Sequence, residues 1–584
     1  MKSIYPILAS VSCGLLASYN AVAKKPNILV IVADDMGYSD AGCYGSEIQT
    51  PNLDKLASNG LRFTQFYNTG RCWPSRSSLL TGYYPQSIRK DNLTRPNGEN
   101  PKPPVGGVFG IRPKWAQLLP MYLKPNGYRS YVSGKWHVDG KPEKNGFDHS
   151  YLYLNTEGYF GAVNHTEDDV KLPPILPDGS SYSTVRIADY AIKFLKEHAE
   201  KYKDQPFFEY LAFHSPHFPI QAIPEDIAIY KDRYNSGWDE IRKERFERMT
   251  KMGLINCDLS SLEPDIIPNW NLPEEELQKR IGPGEVGHAV AWNSLTNEQK
   301  QFQSAKMSVH AAMVYRMDLE IGRVIDQIRA MGVLENTLIL FVSDNGASAE
   351  QIIREGGHDP KSVVGSPQSY LGIGPGWSSA ANTPFRLHKS WNHEGGISTP
   401  LIVSWPDGIK GKNELRTDPG HLIDIVPTIL EIAGTKMPET VDGLLVPALP
   451  GKSMVSAFRK NGKLKHDFLW WNHEGNRAFR VGNWKITADH QSPWELYDLS
   501  TDRSETKNLA EKYPDKNFIG IDIKGARIWR GAKTAIENNM QNVAFLRIEI
   551  ENILDHFSAA EISEIWITFP DPQPLIQKEN KQRI

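Results

Sequence analysis

Unbroken apolar runs set the frame of this chain. Asn27–Ala33 (NILVIVA) has no polar residue after its first position and is rich in β-branched side chains. Continuous rather than alternating hydrophobicity suits a strand buried on both faces of a parallel sheet. Thr337–Ser343 (TLILFVS) repeats the pattern, and Tyr128–Ser133 and Pro206–Phe213 add similar runs. Between them lie helical stretches. In Ala305–Met331 the residues Met313, Met317, Ile321 and Ile325 recur at helical spacing and are read as core, with His310 as a packed or surface histidine. Strands alternating with helices predict a doubly wound α/β domain. After about Lys410 the pattern changes. Phe468–Gly475, Arg477–Thr487 and Trp494–Leu499 read as short strands separated by turns, predicting a small antiparallel sheet and a following helix, with Trp470, Trp471 and Trp484 as packing residues.

Two of the buried runs end in acids. Asp34-Asp35 follow the first and Asp344-Asn345-Gly346 the second. Ligands of open parallel sheets sit at the carboxyl ends of the strands, so the two pairs converge if these strands are neighbours. Carboxylates and an amide oxygen packed together repel one another without a cation. Oxygen donors without His or Cys select a hard ion, Ca²⁺ or Mg²⁺. Either pair alone could equally cap a helix or shape a turn; the repetition favours the metal.

Length and composition narrow the class. At 584 residues the chain exceeds one hydrophobic core, and 40% hydrophobic with 23% charged residues excludes a disordered or collagenous protein. A net charge of −3 offers no global grip on nucleic acid or an anionic membrane, so any anion must be caught by a local cluster of positive charge. Residues 1–23 carry Lys2, an apolar stretch from Ile4 to Leu16, and Ala21-Val22-Ala23, the pattern of a cleavable export signal. The stretch is shorter than the roughly 20 residues of a membrane span, and Cys13 lies in a poor lipoprotein context. The expectation is a periplasmic or secreted protein without stable membrane insertion. Beyond that signal stand Cys43, Cys72 and Cys257, an odd number in a disulfide-permissive compartment.

Cys72-Trp73-Pro74-Ser75-Arg76, continuing to Leu80-Thr81-Gly82, is the most informative stretch. It resembles the signature of type I sulfatases, C-x-P-S-R followed by L-T-G. A bare C-x-P would fit a buried cysteine beside a turn; the longer match, preceded by Asp-Asp and followed by a distant Asp-Asn-Gly, is a motif supported by its context. The resemblance covers roughly residues 25–514. Gly134-Lys135-Trp136-His137 resembles the family's GKWH segment, His214-Ser215-Pro216-His217-Phe218-Pro219 its histidine segment, and Arg386-Leu387-His388-Lys389 before Glu394-Gly395-Gly396 the stretch with a further sulfate-binding lysine. Residues 205–256 and 308–400 look closest to bacterial arylsulfatases.

The resemblance implies an alkaline-phosphatase-like mixed sheet with a smaller C-terminal antiparallel subdomain. It implies that a maturation enzyme oxidises Cys72 to formylglycine, an aldehyde whose hydrate attacks sulfur. Ca²⁺, or Mg²⁺, would be held by Asp34, Asp35, Asp344 and Asn345, with residue 72 on the metal. Arg76, Lys135 and Lys389 would clamp the sulfate, His217 would protonate the departing alcohol, His137 would deprotonate the hydrate's second hydroxyl, and His214 would lie behind it or on the substrate side. Preorganised charge is usually the largest catalytic contribution. The expected substrate is an aryl or carbohydrate sulfate, the latter favoured. A phosphate-ester hydrolase would usually carry Ser or Thr as nucleophile and often zinc. A non-catalytic sulfated-glycan binder would not need the nucleophile motif.

Residues 516–574 resemble a fragment of a tRNA 7-methylguanosine methyltransferase, through Asn517–Gly525 (NFIGIDIKG) and Glu564–Pro572 (EIWITFPDP), with Asp522 matching the acid that contacts the methyl donor. The glycine-rich loop that should precede Asp522 is missing. Nine basic and nine acidic residues from Lys516 to Ile584 offer little to an RNA backbone. The tail reads as an inert fusion or chimera, with no nucleic-acid partner. The expected division is 1–23 signal, 24–410 catalytic domain, 411–514 C-terminal subdomain and 515–584 methyltransferase-like fragment.

Overall fold

The computed structural model describes residues 24–92, 109–153, 158–354, 357–490, 492–512, 518–521 and 543–546. The export signal, Asp522 and the Glu564–Pro572 segment lie outside the described residues.

Strand β1 (Asn27–Asp34) is buried along its whole length. Its alternate side chains enter two separate cores: Leu29, Ile31 and Ala33 face one, Ile28, Val30 and Val32 the other. Both faces are therefore covered, as the unbroken apolar run requires. The other strands are β2 (Leu61–Tyr67), β3 (Arg129–Gly134), β4 (His149–Tyr153), β5 (His165–Glu167), β6 (Val170–Lys171), β7 (Phe207–Pro216), β8 (Thr337–Ser343), β9 (Ser398–Ser404), β10 (Glu414–Arg416) and β11 (Gly420–His421). They form one 11-stranded mixed sheet in the order β10-β2-β9-β8-β1-β7-β3-β4-β5-β6, with β11 beside β2. The centre, β8-β1-β7-β3-β4, is parallel, and β1 and β8 are direct neighbours with Ala33 opposite Ser343.

The long helix Asn297–Ala330 covers the first core with Met313, Met317, Ile321 and Ile325 buried, as their spacing predicts. It begins eight residues before the expected start, at a capping box in which Thr296 and Gln299 bond each other's backbone N–H. That T-x-x-Q signal is legible in the sequence. His310 is buried and packed, its Nε2 lying 3.0 Å from Asp40 Oδ2.

A separate antiparallel sheet holds Leu469–His473, Asn476–Val481, Trp484–Ala488 and Glu495–Asp498. The run Arg477–Thr487 spans two of its strands rather than one, because the chain turns at Gly482 with φ 57° and pairs Val481 with Trp484. Trp471 is buried and its indole N–H donates to the Asn68 carbonyl, while Trp470 lies 4.7 Å from the Tyr84 ring. The following helix is short, Leu509–Lys512, and beyond it Phe518–Ile521 pairs in parallel with Val543–Leu546. Among the described residues no helix is long and apolar enough to cross a membrane.

Candidate active site

Parallel strands deliver their carboxyl ends to one edge of the sheet. From β8, β1, β7 and β3 in spatial order come Asp344-Asn345, Asp34-Asp35, His214 to His217, and Lys135 to His137. Strand β2, antiparallel to β9, points the same way as β8 and feeds the helix Cys72–Thr81. That helix is buried at every position and stops at Gly82, whose φ of 79° suits glycine. Cys72 is its first residue and 3% exposed. Burial raises the Cys72 thiol above its ordinary value against the pull of Lys135 and Lys389, so the unmodified sulfur is a protonated, weak nucleophile. Among the described residues Cys43, Cys72 and Cys257 are free and buried.

The charges interlock. Arg76, wholly buried, donates from Nε to Asp344 Oδ2 at 2.7 Å and from its other nitrogens to the carbonyls of Lys135 and Phe213, tying β3 and β7 to the end of β8. Lys135 pairs with Asp34 Oδ2, and Lys389 lies 3.0 Å from the Asp35 carboxylate. Asn345 Nδ2 donates to Asp35 Oδ1 at 2.6 Å. Burial opposes ionisation of Asp34, yet Lys135, His217 and Arg76 hold it well below the usual range. Asp344, pushed by burial and then by the Asp34 charge, rises to about 7. His217 Nε2 is 3.7 Å from Asp35 Oδ2. Burial lowers all three histidines, with Asp35 opposing it at His217, and Lys135 adds to it at His137 and His214. Asp35 and His137 have φ of 62° and 50°, a costly conformation for residues with side chains and one that collects at functional sites.

Asp34 Oδ1 and Asn345 Oδ1 are buried without a hydrogen-bond partner. Ligand atoms of Asp34, Asp35 and His217 lie within 4.8 Å of one another. Unsatisfied buried oxygens beside clustered carboxylates fit a hard cation.

The sulfatase family model matches residues 26–435. The chain belongs to the sulfatase family. A second model, for the C-terminal region of N-sulphoglucosamine sulphohydrolase, matches residues 386–522, and a methyltransferase model matches 503–584. An uncharacterized sulfatase of Schizosaccharomyces pombe is 35% identical over 537 residues, covering 85% of this chain and 92% of the relative. The arylsulfatase of Klebsiella aerogenes is 30% identical over 71% of this chain and 88% of its own length. Among solved structures, Ps i-CgsB in complex with k-i-k-neocarrahexaose shares the fold with a TM-score of 0.58 at 23% identity, covering 91% of this chain and 96% of that one. A structure in complex with its substrate D-glucosamine-2-N,6-O-disulfate has a TM-score of 0.54 at 19% identity, over 89% and 99%. The architecture is the alkaline-phosphatase-like one of these sulfatases.

In this sulfatase the loop that carries Lys389 is set by glycines and braced from the C-terminal sheet. A Cβ on Gly395 would lie 2.2 Å from the Arg386 carbonyl oxygen, and one on Gly396 2.1 Å from that of Trp391, so nothing larger fits. Asn476 Nδ2 donates to the Ser390 carbonyl at 2.7 Å, and buried Glu394 is gripped by Lys485 and Arg503, each at 3.0 Å. Several residues went unread in the sequence. Glu350 bridges Lys389 at 2.9 Å and Arg71 at 3.0 Å. Tyr159 places its hydroxyl 2.9 and 2.8 Å from the carbonyl oxygens of His214 and His217, fixing the segment that aims both rings. Arg71 abuts the cysteine motif and could have been flagged by that position. Glu350 and Tyr159 lie in loops without periodicity and carry no local signal.

Proposed function

We propose that the chain hydrolyses a sulfate ester by S–O cleavage, with a carbohydrate sulfate favoured over an aryl one. The observation that carries this reading is Cys72, buried at the start of its helix between the influence of Lys135 and Lys389 and facing the strand-end acids. A thiol whose ionisation burial opposes is a weak nucleophile, which is in keeping with chemical maturation. Oxidation of Cys72 to formylglycine would supply a hydrated aldehyde as nucleophile. Asp34, Asp35, Asp344, Asn345 and residue 72 would hold Ca²⁺, or Mg²⁺, which would supply Lewis-acid neutralisation of the ester's anionic oxygens. Lys135, Lys389 and Arg76 add fixed positive charge from buried side chains, where such charge acts more strongly than in water. His217 would donate a proton to the departing alcohol oxygen, a role that Asp35, 3.7 Å from its Nε2, supports by opposing the effect of burial. His137, with an unpartnered Nδ1 and held neutral by burial, is available as the base. His214, edge-on to Tyr153 at 4.7 Å, lies behind them or on the substrate side.

The same reading includes export to the periplasm or beyond, a maturation enzyme as partner, a division into 24–410, 411–514 and 515–584, and a catalytically inert tail. Methyl transfer to tRNA by the purified chain would overturn the last point. The main test is the intact mass of the Cys72 peptide after coexpression with a maturation enzyme, with sulfate release from an aryl sulfate and a panel of sulfated sugars. A loss of about 18 Da is expected, the change from thiol to aldehyde. An unmodified cysteine and no release despite active maturation would remove the hydrolase reading.

A further inference from the structure

Outside the ring of strand-end charges, a second group of side chains surrounds Arg71, the residue before Cys72. Its guanidinium lies between two indoles, 5.2 Å from the Trp73 ring and 5.0 Å from that of Trp270. The Trp270 N–H donates to Glu350 Oε1 at 2.9 Å, so that ring is fixed in orientation although it is 36% exposed. Glu350 in turn contacts Lys389 at 2.9 Å, and Lys389 contacts Asp35. An unbroken series of polar contacts thus runs from a partly exposed indole to the strand-end acids.

The C-terminal sheet adds a carboxylate here. His473 pairs with Asn476, leaving Glu474-Gly475 as a two-residue hairpin turn with φ of 51° and 90°. Asn, Asp or Gly takes such a first position at low cost, and glutamate does not. The long acid brings its carboxylate 4.0 Å from Arg71 and 3.7 Å from His473, while remaining 38% exposed. Those are its only ionic neighbours among the described residues, and its oxygens retain room for hydrogen-bond donors. Arg71 and Lys389 already have acidic partners. Arg71 serves Glu350 and Ser390, and Lys389 serves Asp35 and Glu350.

We propose that Trp270, Arg71 and Glu474 form the subsite for the alcohol half of the ester, and that it takes an uncharged sugar ring. The ring stacks on Trp270 and its hydroxyls donate to Glu474. A carboxylate or second sulfate on that ring would meet the partly exposed Glu474 carboxylate and be repelled by it, so this site selects against densely anionic glycans. The proposal rests on the hydrolase reading above and narrows its substrate.

The test uses the full matured chain with 4-nitrophenyl sulfate, a set of methyl hexoside and N-acetylhexosaminide monosulfates differing in sulfate position, and the corresponding ring bearing a uronic carboxylate. The wild-type chain should prefer a neutral monosulfated sugar to its carboxylated counterpart. Glu474→Ala should lower kcat/KM for that sugar about tenfold more than for 4-nitrophenyl sulfate, the worth of a hydrogen bond to a charged group. Glu474→Lys should shift preference toward the carboxylated ring, an outcome that a merely structural role for Glu474 would not produce. Trp270→Ala should raise KM for the sugar, with Trp270→Phe restoring much of the loss because the stacking face remains. Equal losses on sugar and aryl esters, a wild-type preference for the carboxylated ring, or hydrolysis of aryl esters alone would overturn the subsite while leaving the hydrolase intact. Absence of release from every ester by matured wild-type protein would instead overturn the hydrolase reading beneath it.

Discussion

The floor of the site and its mouth are built by different means. The floor hangs largely on the ends of β1, β8, β7 and β3, so hydrogen-bonded register sets the strand-end acids, Lys135 and the histidine segment relative to one another. Its side chains are buried and its cations are matched to carboxylates. The mouth draws on Arg71, Trp270, Glu350 and Glu474, which share no strand register and meet only through side-chain contacts. A scaffold of the first kind suits chemistry common to every sulfate ester. One of the second kind can be changed residue by residue without disturbing the sheet, as recognition of the alcohol requires.

Changes in the floor should therefore hurt every substrate alike. Cys72→Ala should lower turnover on aryl and sugar esters by about 10³-fold or more, the scale on which a nucleophile is missed, while thermal melting stays near wild type because the lost group is small. Substrate-dependent loss would contradict the separation of floor from mouth. Arg76→Ala should be the most damaging to the fold. It leaves Asp344 and the carbonyls of Lys135 and Phe213 buried without their partner, and breaking a buried pair costs about 3–5 kcal/mol. Urea unfolding measures this; a change below about 1 kcal/mol, the surface ion-pair scale, would show that Arg76 is not the clasp between strands.

The same difference explains how much was legible in the sequence. A buried strand ending in acids announces itself locally, because apolar continuity and the residues just after it are adjacent in the chain. Asp34, Asp35, Asp344 and Asn345 could be placed together once β1 and β8 were read as neighbours, and the structure makes them so. The lysines and histidines rested on motif resemblance, since a single Lys135 or Lys389 looks like any surface lysine. Glu350, Trp270 and Glu474 could not be found this way. Each lies in a loop or turn whose partner is distant in sequence: Trp270 meets Glu350 across 80 positions. The hairpin inside Arg477–Thr487 was missed for a milder reason, a Gly482-Asn483 turn within an otherwise apolar-rich run.

His217 stands where floor and mouth meet, its side chain 14% exposed and close to Asp35. Its removal should distinguish substrates by leaving group rather than by ring shape. His217→Ala is expected to lower kcat by about 10²-fold for sugar sulfates, whose alkoxide needs a proton, and by much less for aryl sulfates, whose phenolate leaves unaided. Equal losses on both types, measured as kcat and not only kcat/KM, would end the assignment of His217 as the acid.

Glu350 offers the finest test, because it joins the two regions, touching Lys389 on one side and Arg71 and Trp270 on the other. Burial opposes its charge, but Lys389 and then Arg71 hold the carboxyl well below its ordinary value of 4.5. A depressed folded-state value means that ionised Glu350 stabilises the fold fully above the unfolded value and loses that contribution as pH falls through the folded one. Glu350→Gln keeps the size and much of the hydrogen bonding but removes the charge. The variant should be about 1–3 kcal/mol less stable than wild type near pH 7, the range for a hydrogen bond to a charged group. The gap in urea stability should narrow steadily as pH drops below about 4.5, where the unfolded carboxyl takes up its proton. A gap that stayed constant into acid would mean that shape and not charge joins the mouth to the floor, and the two regions would then be electrostatically independent.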